Sequence, residues 1–530
     1  MKKFFLIFSV LLVVTSCSSV KTYNEQITSL HRVEDLQNDV DKLYKQLKKH
    51  HPKLYQYTSK TDLDFKFDSL KTTIKQPMTS REFYKILAPV VTNVRQGHVS
   101  VGSANKRFTR KERKVLKKKK FEFYDLDFEY LNQKLYVKNT RGKDSTLVGS
   151  EVLKIENDST SNLVDTYKTQ FASDGYNTTL HNRFVGKNFK TFYYRNKGFV
   201  DSLKVTFKNE DSTFVKTFKR LKKEDKKKDV ENDSTKTLKP KKLTKEEKNA
   251  SRIARKKKRK FNKKHGYISK DKYTRNFEFI GKDSTIAFMK IRSFSNGRYK
   301  DFYKESFAKL DSAKTKYFIL DLRDNGGGRI AEIDNLYGYL TDENYQFITE
   351  SEVNSRIPFM TLVMSNTSST SLKIVGGLLS PIIVTHNLLK TKKRDGKLYY
   401  RFSKFSKIKA PNPLHFKGTM YVLINGNSFS ASSLLSTHLK ANKRATFVGE
   451  ETGGAYNGTV AGIYKLYQLP TSKLKLRMGL MQIEAPQKQH PDGYGVKPNV
   501  EIKPTINDRK LKIDTELDWV LKAIENKEEH

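Results

Sequence analysis

The sequence predicts an α/β core, with a helical region ahead of it and a β-rich insertion between the two. Three patterns carry that prediction. Residues 420–424 form a short apolar run suited to a buried strand, and Asn425, Gly426 and Asn427 break it. From Ser430 the pattern turns helical, with Ala431, Leu434, Leu435 and Leu439 on one face, and a second apolar run at 445–448 ends at Gly449. Residues 317–320 form another apolar run, followed by Asp321-Leu322-Arg323-Asp324-Asn325-Gly326-Gly327-Gly328 and a helical stretch from about Ile330. Strand-like runs at 277–280 and 286–291 and a helical run at 299–310 come before these, so strand and helix keep alternating.

The chain begins with Met1, Lys2 and Lys3, an apolar run at 4–14, then Thr15, Ser16 and Cys17. Two lysines, a short apolar stretch and small residues describe a secretory signal over 1–17, too short to remain as a membrane span. It resembles a bacterial lipoprotein signal, which implies that Cys17 is lipidated and anchors the chain to a membrane, facing the periplasm or exterior. Cys17 is the only cysteine, so an intrachain disulfide, a cysteine metal site and a cysteine nucleophile are all excluded.

The chain carries 103 Lys and Arg against 57 Asp and Glu, a net charge of +46. Much of the excess sits in two stretches, 106–120 and 219–264. The second has few apolar residues and reads as a solvated helix or disordered insert. The second stretch has no aromatic before Phe261 and no known nucleic-acid-binding fold is visible, so no specific nucleic-acid partner is expected. Contact with anionic lipid headgroups suits such charge on a tethered protein.

Residues 18–104 read as helical. Val33, Leu36, Val40, Leu43 and Leu47 make one apolar face, which His50-His51-Pro52 ends. Thr79 to Glu82 has capping-box spacing, and a second amphipathic stretch runs from Phe83 to Val94, bent at Pro89. Residues 105–220 alternate short apolar runs with turns and form the β-rich insertion. The basic insert occupies 221–272, and the core runs over 273–530. Within it, 350–415 carries no readable motif, 476–483 reads as a strand, and Asp514 caps a last helix with Leu517, Val520, Leu521 and Ile524 inward.

A tight turn that lifts Ser430 to a helix N-terminus puts its hydroxyl beside free backbone N–H groups able to hold an oxyanion. Serine in that place is also an ordinary N-cap. The glycine loop at 326–328 lets backbone approach closely, or is simply a flexible turn. Taken together, the Asp-Leu-Arg loop, the Ser-Ala-Ser segment and Gly449-Glu-Glu-Thr-Gly-Gly454 resemble the tail-specific (C-terminal-processing) serine protease family over about residues 30 to 525.

The resemblance implies a core of crotonase-like ββα units, peptide-bond hydrolysis of peptide or protein substrates, and Ser430 as nucleophile. It also implies an oxyanion site from Ala431, Gly326, Gly327 and Gly328. Ala455 stands where one branch carries a lysine base, which leaves the tricorn-like branch, whose base is an N-terminal histidine. Gln96-Gly97-His98-Val99 matches that segment, with Gly97 where the branch has a serine, and makes His98 the base.

His438 lies eight residues along the helix from Ser430, about 12 Å away, and cannot turn back; His490 is the stronger rival. By the same resemblance Asp492, in Pro491-Asp492-Gly493-Tyr494-Gly495-Val496, orients the machinery; an aspartate before glycine is otherwise a common turn residue. Residues 147–157 resemble the core of PDZ-like domains, which implies that the insertion is PDZ-like. Serine–histidine chemistry needs no metal or organic cofactor. The two other classes left open are a non-cleaving binder of peptides or lipophilic ligands and a basic envelope scaffold.

Overall fold

The computed structural model describes residues 19–142, 144–223, 244–269, 272–281, 283–295 and 297–529. The signal and Cys17, and most of the basic insert before residue 244, lie outside them.

The expected alternation gives a six-stranded sheet. Its strands run in the order Arg275–Ile280, Ile286–Ile291, Tyr317–Asp321, Thr419–Ile424, Thr446–Gly449 and Val500–Glu501. The first pair is antiparallel and the rest are parallel. Tyr317–Asp321 is buried at every position, as a parallel strand covered on both faces must be. The loops after Tyr317–Asp321 and Thr419–Ile424 leave the same end of two adjacent parallel strands, where ligands of open α/β sheets bind.

The N-terminal helices Val33–His50, Lys60–Thr73 and Ser80–Val91 form as the spacing predicts. Thr79 and Glu82 make the capping box, and Pro89 lies inside the last helix. These helices do not stand apart. Leu36, Val40, Leu87 and Val99 belong to the same buried cluster as Leu320, Val422 and Met478. The joint is a strand, Ser100–Gly102, which pairs antiparallel with Lys475–Ile483, Ser100 opposite Arg477 and Val101 opposite Leu476. This register carries residue 98 to the core.

The insertion is a seven-stranded sheet with the helices Thr160–Lys168, Thr179–Lys187 and Phe189–Lys197 packed into its own apolar cluster. Buried charges tie it to the core. Arg183 bonds Glu129 within the insertion and Glu450 beyond it, each at 2.6 Å, and Arg509 reaches Glu129 at 3.0 Å. Within the described part of the basic insert the main element is a helix, Lys245–His265, capped by Thr244 and without a single buried residue, followed by the short strand Tyr267–Ser269.

Candidate active site

The two loops at the end of the sheet are interlocked. The Asp324 N–H donates to Asn425 Oδ1 at 3.0 Å, Asn427 Nδ2 donates to Asp324 Oδ1 at 2.7 Å, and the Phe429 N–H donates to the Asn325 carbonyl at 3.0 Å. The Ser428 hydroxyl donates to the Leu322 carbonyl at 2.8 Å. Arg323 anchors the base of the glycine loop, bonding Asp321 at 2.8 Å, Asp514 at 2.5 Å and Glu516 at 3.1 Å. Burial alone would raise the Asp321 carboxyl, but Lys290 and Arg323 beside it hold it down at about 2.

Clamped this way, Ser430 has φ 57° and ψ −119°, a strained backbone for a residue with a Cβ. It heads the helix Ala431–Ala441, yet its side chain makes no capping bond. The hydroxyl meets His98 instead, with Nε2 and Oγ 3.1 Å apart across 332 residues of sequence. Edge-on contacts from Phe429 and Tyr464 hold the imidazole, with centroids at 5.0 and 5.5 Å. Arg477 lies over Tyr464 and donates to the His98 carbonyl at 3.3 Å. Burial, and then the charge of Arg477, push the His98 ring down to about 3. Gly97 has no room for a side chain, since a Cβ there would stand 2.5 Å from the Phe429 ring.

The glycine loop lies directly against the serine. A Cβ on Gly327, whose φ is +95°, would come within 2.7 Å of the Phe429 oxygen and 2.8 Å of the Ala431 nitrogen. The Gly327 N–H itself donates to Asn325 Oδ1 at 2.9 Å. Gly328, also at positive φ, bridges to Phe294. Among the described residues no side chain or carbonyl takes the Ala431 N–H.

Asp492 accepts from Gln56 Nε2 at 2.9 Å and from the Gly493 N–H at 2.7 Å. Gln56 in turn accepts from Gln96 at 3.0 Å, so Asp492 reaches the His98 loop through two amides and not by touching the ring. His438 is a buried core histidine, 2.7 Å from the Phe347 carbonyl and stacked on the Phe347 ring, and His490 is exposed.

One site residue has no sequence signal. Asp174, in the insertion, is wholly buried and accepts from the Gly97 N–H at 2.8 Å and the Thr459 hydroxyl at 3.0 Å. Its Oδ2 has no donor in bonding geometry among the described residues. Burial raises this carboxyl to about 6, against the pull of donors at Gly97, Thr459 and Ala455. The loop around it is a strap: the Gly175 N–H bonds Arg95, the Tyr176 N–H bonds Gly493, and Asn177 bonds Thr452. Asp174 and Ser430 also line a cavity of about 350 Å³, whose other walls include Ile330, Phe405, Leu434, Ala461 and Ile483 along with Arg329 and Thr459.

A serine hydroxyl on a strained turn, a buried imidazole on its oxygen and a helix N-terminus beside it are the groups that acyl transfer through a serine uses. Residues 285–502 match the family model described as peptidase family S41. That segment, less than half of the chain, is similar to family S41 peptidases. The matched segment holds five of the six core strands, both interlocked loops and Asp492, whereas the strand Arg275–Ile280, His98 and Asp174 lie before it. The fold over nearly the whole chain is similar to that of mature CPAF complexed with lactacystin. That match has a TM-score of 0.60 at 15% identity and covers 93% of this chain and 98% of that one. A second structure of mature CPAF aligns with a TM-score of 0.54 at 15% identity, over 92% and 95% of the two chains. At that identity the likeness concerns the fold. No curated protein sequence matches the chain significantly.

Proposed function

We propose that the protein is an endopeptidase of the tail-specific, tricorn-like kind, lipid-anchored in the cell envelope through Cys17, with Ser430 as nucleophile and His98 as its base. The observation that carries this reading is the 3.1 Å approach of the imidazole to the serine oxygen, within reach for proton transfer. With its proton on Nδ1, His98 accepts the Ser430 proton at Nε2 as Oγ adds to the scissile carbonyl. The same proton then passes to the departing amine as the tetrahedral adduct collapses. Water repeats the sequence on the acyl-enzyme and frees the acid.

The Ala431 N–H is the main donor to the oxyanion, because Asn325 already takes the Gly327 N–H; Gly326 and Gly328 flank Gly327 in the loop. Asp492 positions the His98 loop through Gln56 and Gln96. The largely apolar walls beside Ser430 favour a substrate with an apolar side chain at the cleaved residue. The inserted sheet presents peptide by strand addition, in the manner of a PDZ-like domain.

A fluorophosphonate probe tests the assignment. The full chain should label and cleave peptide, Ser430→Ala should do neither, and His98→Gln should slow labelling by about 10²–10⁴. Labelling that survives Ser430→Ala would refute it. A second reading, a peptide-binding relative without turnover, has one observation in its favour: His98 is held near 3 and no carboxylate bonds its ring among the described residues. Peptide binding with no labelling of the wild-type chain would select that reading.

A further inference from the structure

Residues 358–390 fold into three short helices, Pro358–Val363, Thr370–Leu378 and Ser380–Lys390. Helices this apolar normally bury one face, yet in each only one residue is buried: Pro358, Gly376 and Asn387. Those buried residues are the internal joints. Gly376 sits against Val363, and Asn387 accepts from the Phe359 N–H at 3.3 Å. The unit is also pinned to the core. Asn366 exchanges two bonds with Gln468, and Thr367 donates to the Leu466 carbonyl at 2.9 Å. The strand that receives it, Thr459–Gln468, also carries Tyr464 against His98. The apolar residues therefore face outward on a well-anchored platform, with Leu378 77%, Leu389 75% and Ile382 70% exposed. An outward apolar face of this extent marks a docking surface.

Charge says what docks. Residues 356–409 contain eleven Lys and Arg and one acid, Asp395. Glu350, Glu352 and Asp334 pair with four of these bases from outside the stretch, and the balance remains strongly basic. Lys392 and Lys393, directly after the last helix, are exposed. A second copy docking on the same face would bring two basic rims together, at a repulsive cost. An anionic lipid surface offers apolar depth for the leucines and negative headgroups for the lysines. Thr370–Leu378 and Ser380–Lys390 meet at 70°, and no single described helix is long and apolar enough to cross a membrane.

We propose that the 358–390 platform lies in the headgroup region of an anionic bilayer, with the basic hairpin Thr391–Arg394 and Lys397–Tyr400 on the phosphates. The inference does not depend on peptidase activity or on lipidation of Cys17.

The test uses the full chain with Cys17→Ser, so that each introduced thiol is unique. An environment-sensitive fluorophore is placed at Leu378→Cys, at Leu389→Cys or, as control, at Val215→Cys, an exposed position on the inserted sheet. Vesicles of phosphatidylglycerol with phosphatidylethanolamine should blue-shift the first two labels and leave the third unchanged. High salt should weaken the effect, as should Lys392→Glu with Lys393→Glu, the latter lowering partition by about 30-fold or more. The proposal is overturned by silence at Leu378 and Leu389, by equal shifts at Val215, or by equal shifts on phosphatidylcholine vesicles. A shift that rises with protein concentration in the absence of vesicles would assign the face to a second copy instead.

Discussion

Replacing Asp174 by asparagine separates the charge of this side chain from its shape. Burial raises the carboxyl to about 6 from an ordinary 3.8. A gap of about two units corresponds to about 3 kcal/mol that its ionisation costs the folded state at neutral pH. The sign follows from proton binding. The folded protein holds this proton more tightly than the unfolded chain does. The cost is thus small below the unfolded value, grows as pH rises from about 4 to about 6, and is complete above that.

Asparagine keeps an oxygen for the Gly97 N–H and the Thr459 hydroxyl but cannot ionise. Its amide also places donors where Oδ2 had none, a pH-independent offset of about 1–3 kcal/mol. The pH-dependent part is therefore diagnostic. Measured by urea unfolding in a Ser430→Ala background, which removes any self-digestion, the stability of Asp174→Asn relative to its parent should rise by about 2 kcal/mol between about pH 4 and pH 7. The histidines titrate equally in both proteins and cancel. A difference that stays flat, or falls with pH, would show that Asp174 is already ionised in acid and is no neutral-leaning group under the active site.

Gly327→Ala should lower kcat by about 10² or more and destabilise the fold by about 1–3 kcal/mol, because its Cβ enters the space of Phe429 and Ala431 at positive φ; wild-type kcat would remove the glycine loop from the site. Arg323→Ala should cost about 3–5 kcal/mol in chemical denaturation, since it strands the buried Glu516 and leaves the buried Asp321 with Lys290 alone. The acid limb of kcat/KM should fall well below 6.5, because His98 stays neutral down to about 3, and an ordinary limb near 6.5 would contradict its burial. Acid unfolding should begin below about pH 6.5 and steepen, because His51, His98 and His438 are each depressed to about 3 or 4. The unfolded chain takes up those protons first, at about 2 kcal/mol per histidine by about pH 5. A stability flat from neutrality to about pH 4 would refute this.

Much of the site was legible because it is local. The breaks at Asn425 to Asn427, the triple glycine and the helical period after Ser430 are short-range backbone preferences, readable within a dozen residues. So were the N-terminal helices, whose apolar faces repeat at three and four. Residues 358–390 gave no usable pattern, because helices of 6, 9 and 11 residues are too short to establish a repeat. Asp174 stands before Gly175, as many turn aspartates stand before a glycine, and nothing local marks it. The tertiary structure decided which distant pieces meet: His98 reaches Ser430 because Ser100–Gly102 takes its register from Lys475–Ile483, and Asp174 reaches Gly97 and Thr459 across 77 and 285 residues. Local turn and helix preferences act through neighbouring backbone and are written where they act. A buried carboxyl or imidazole owes its state to desolvation by residues far off in sequence, so only packing decides it.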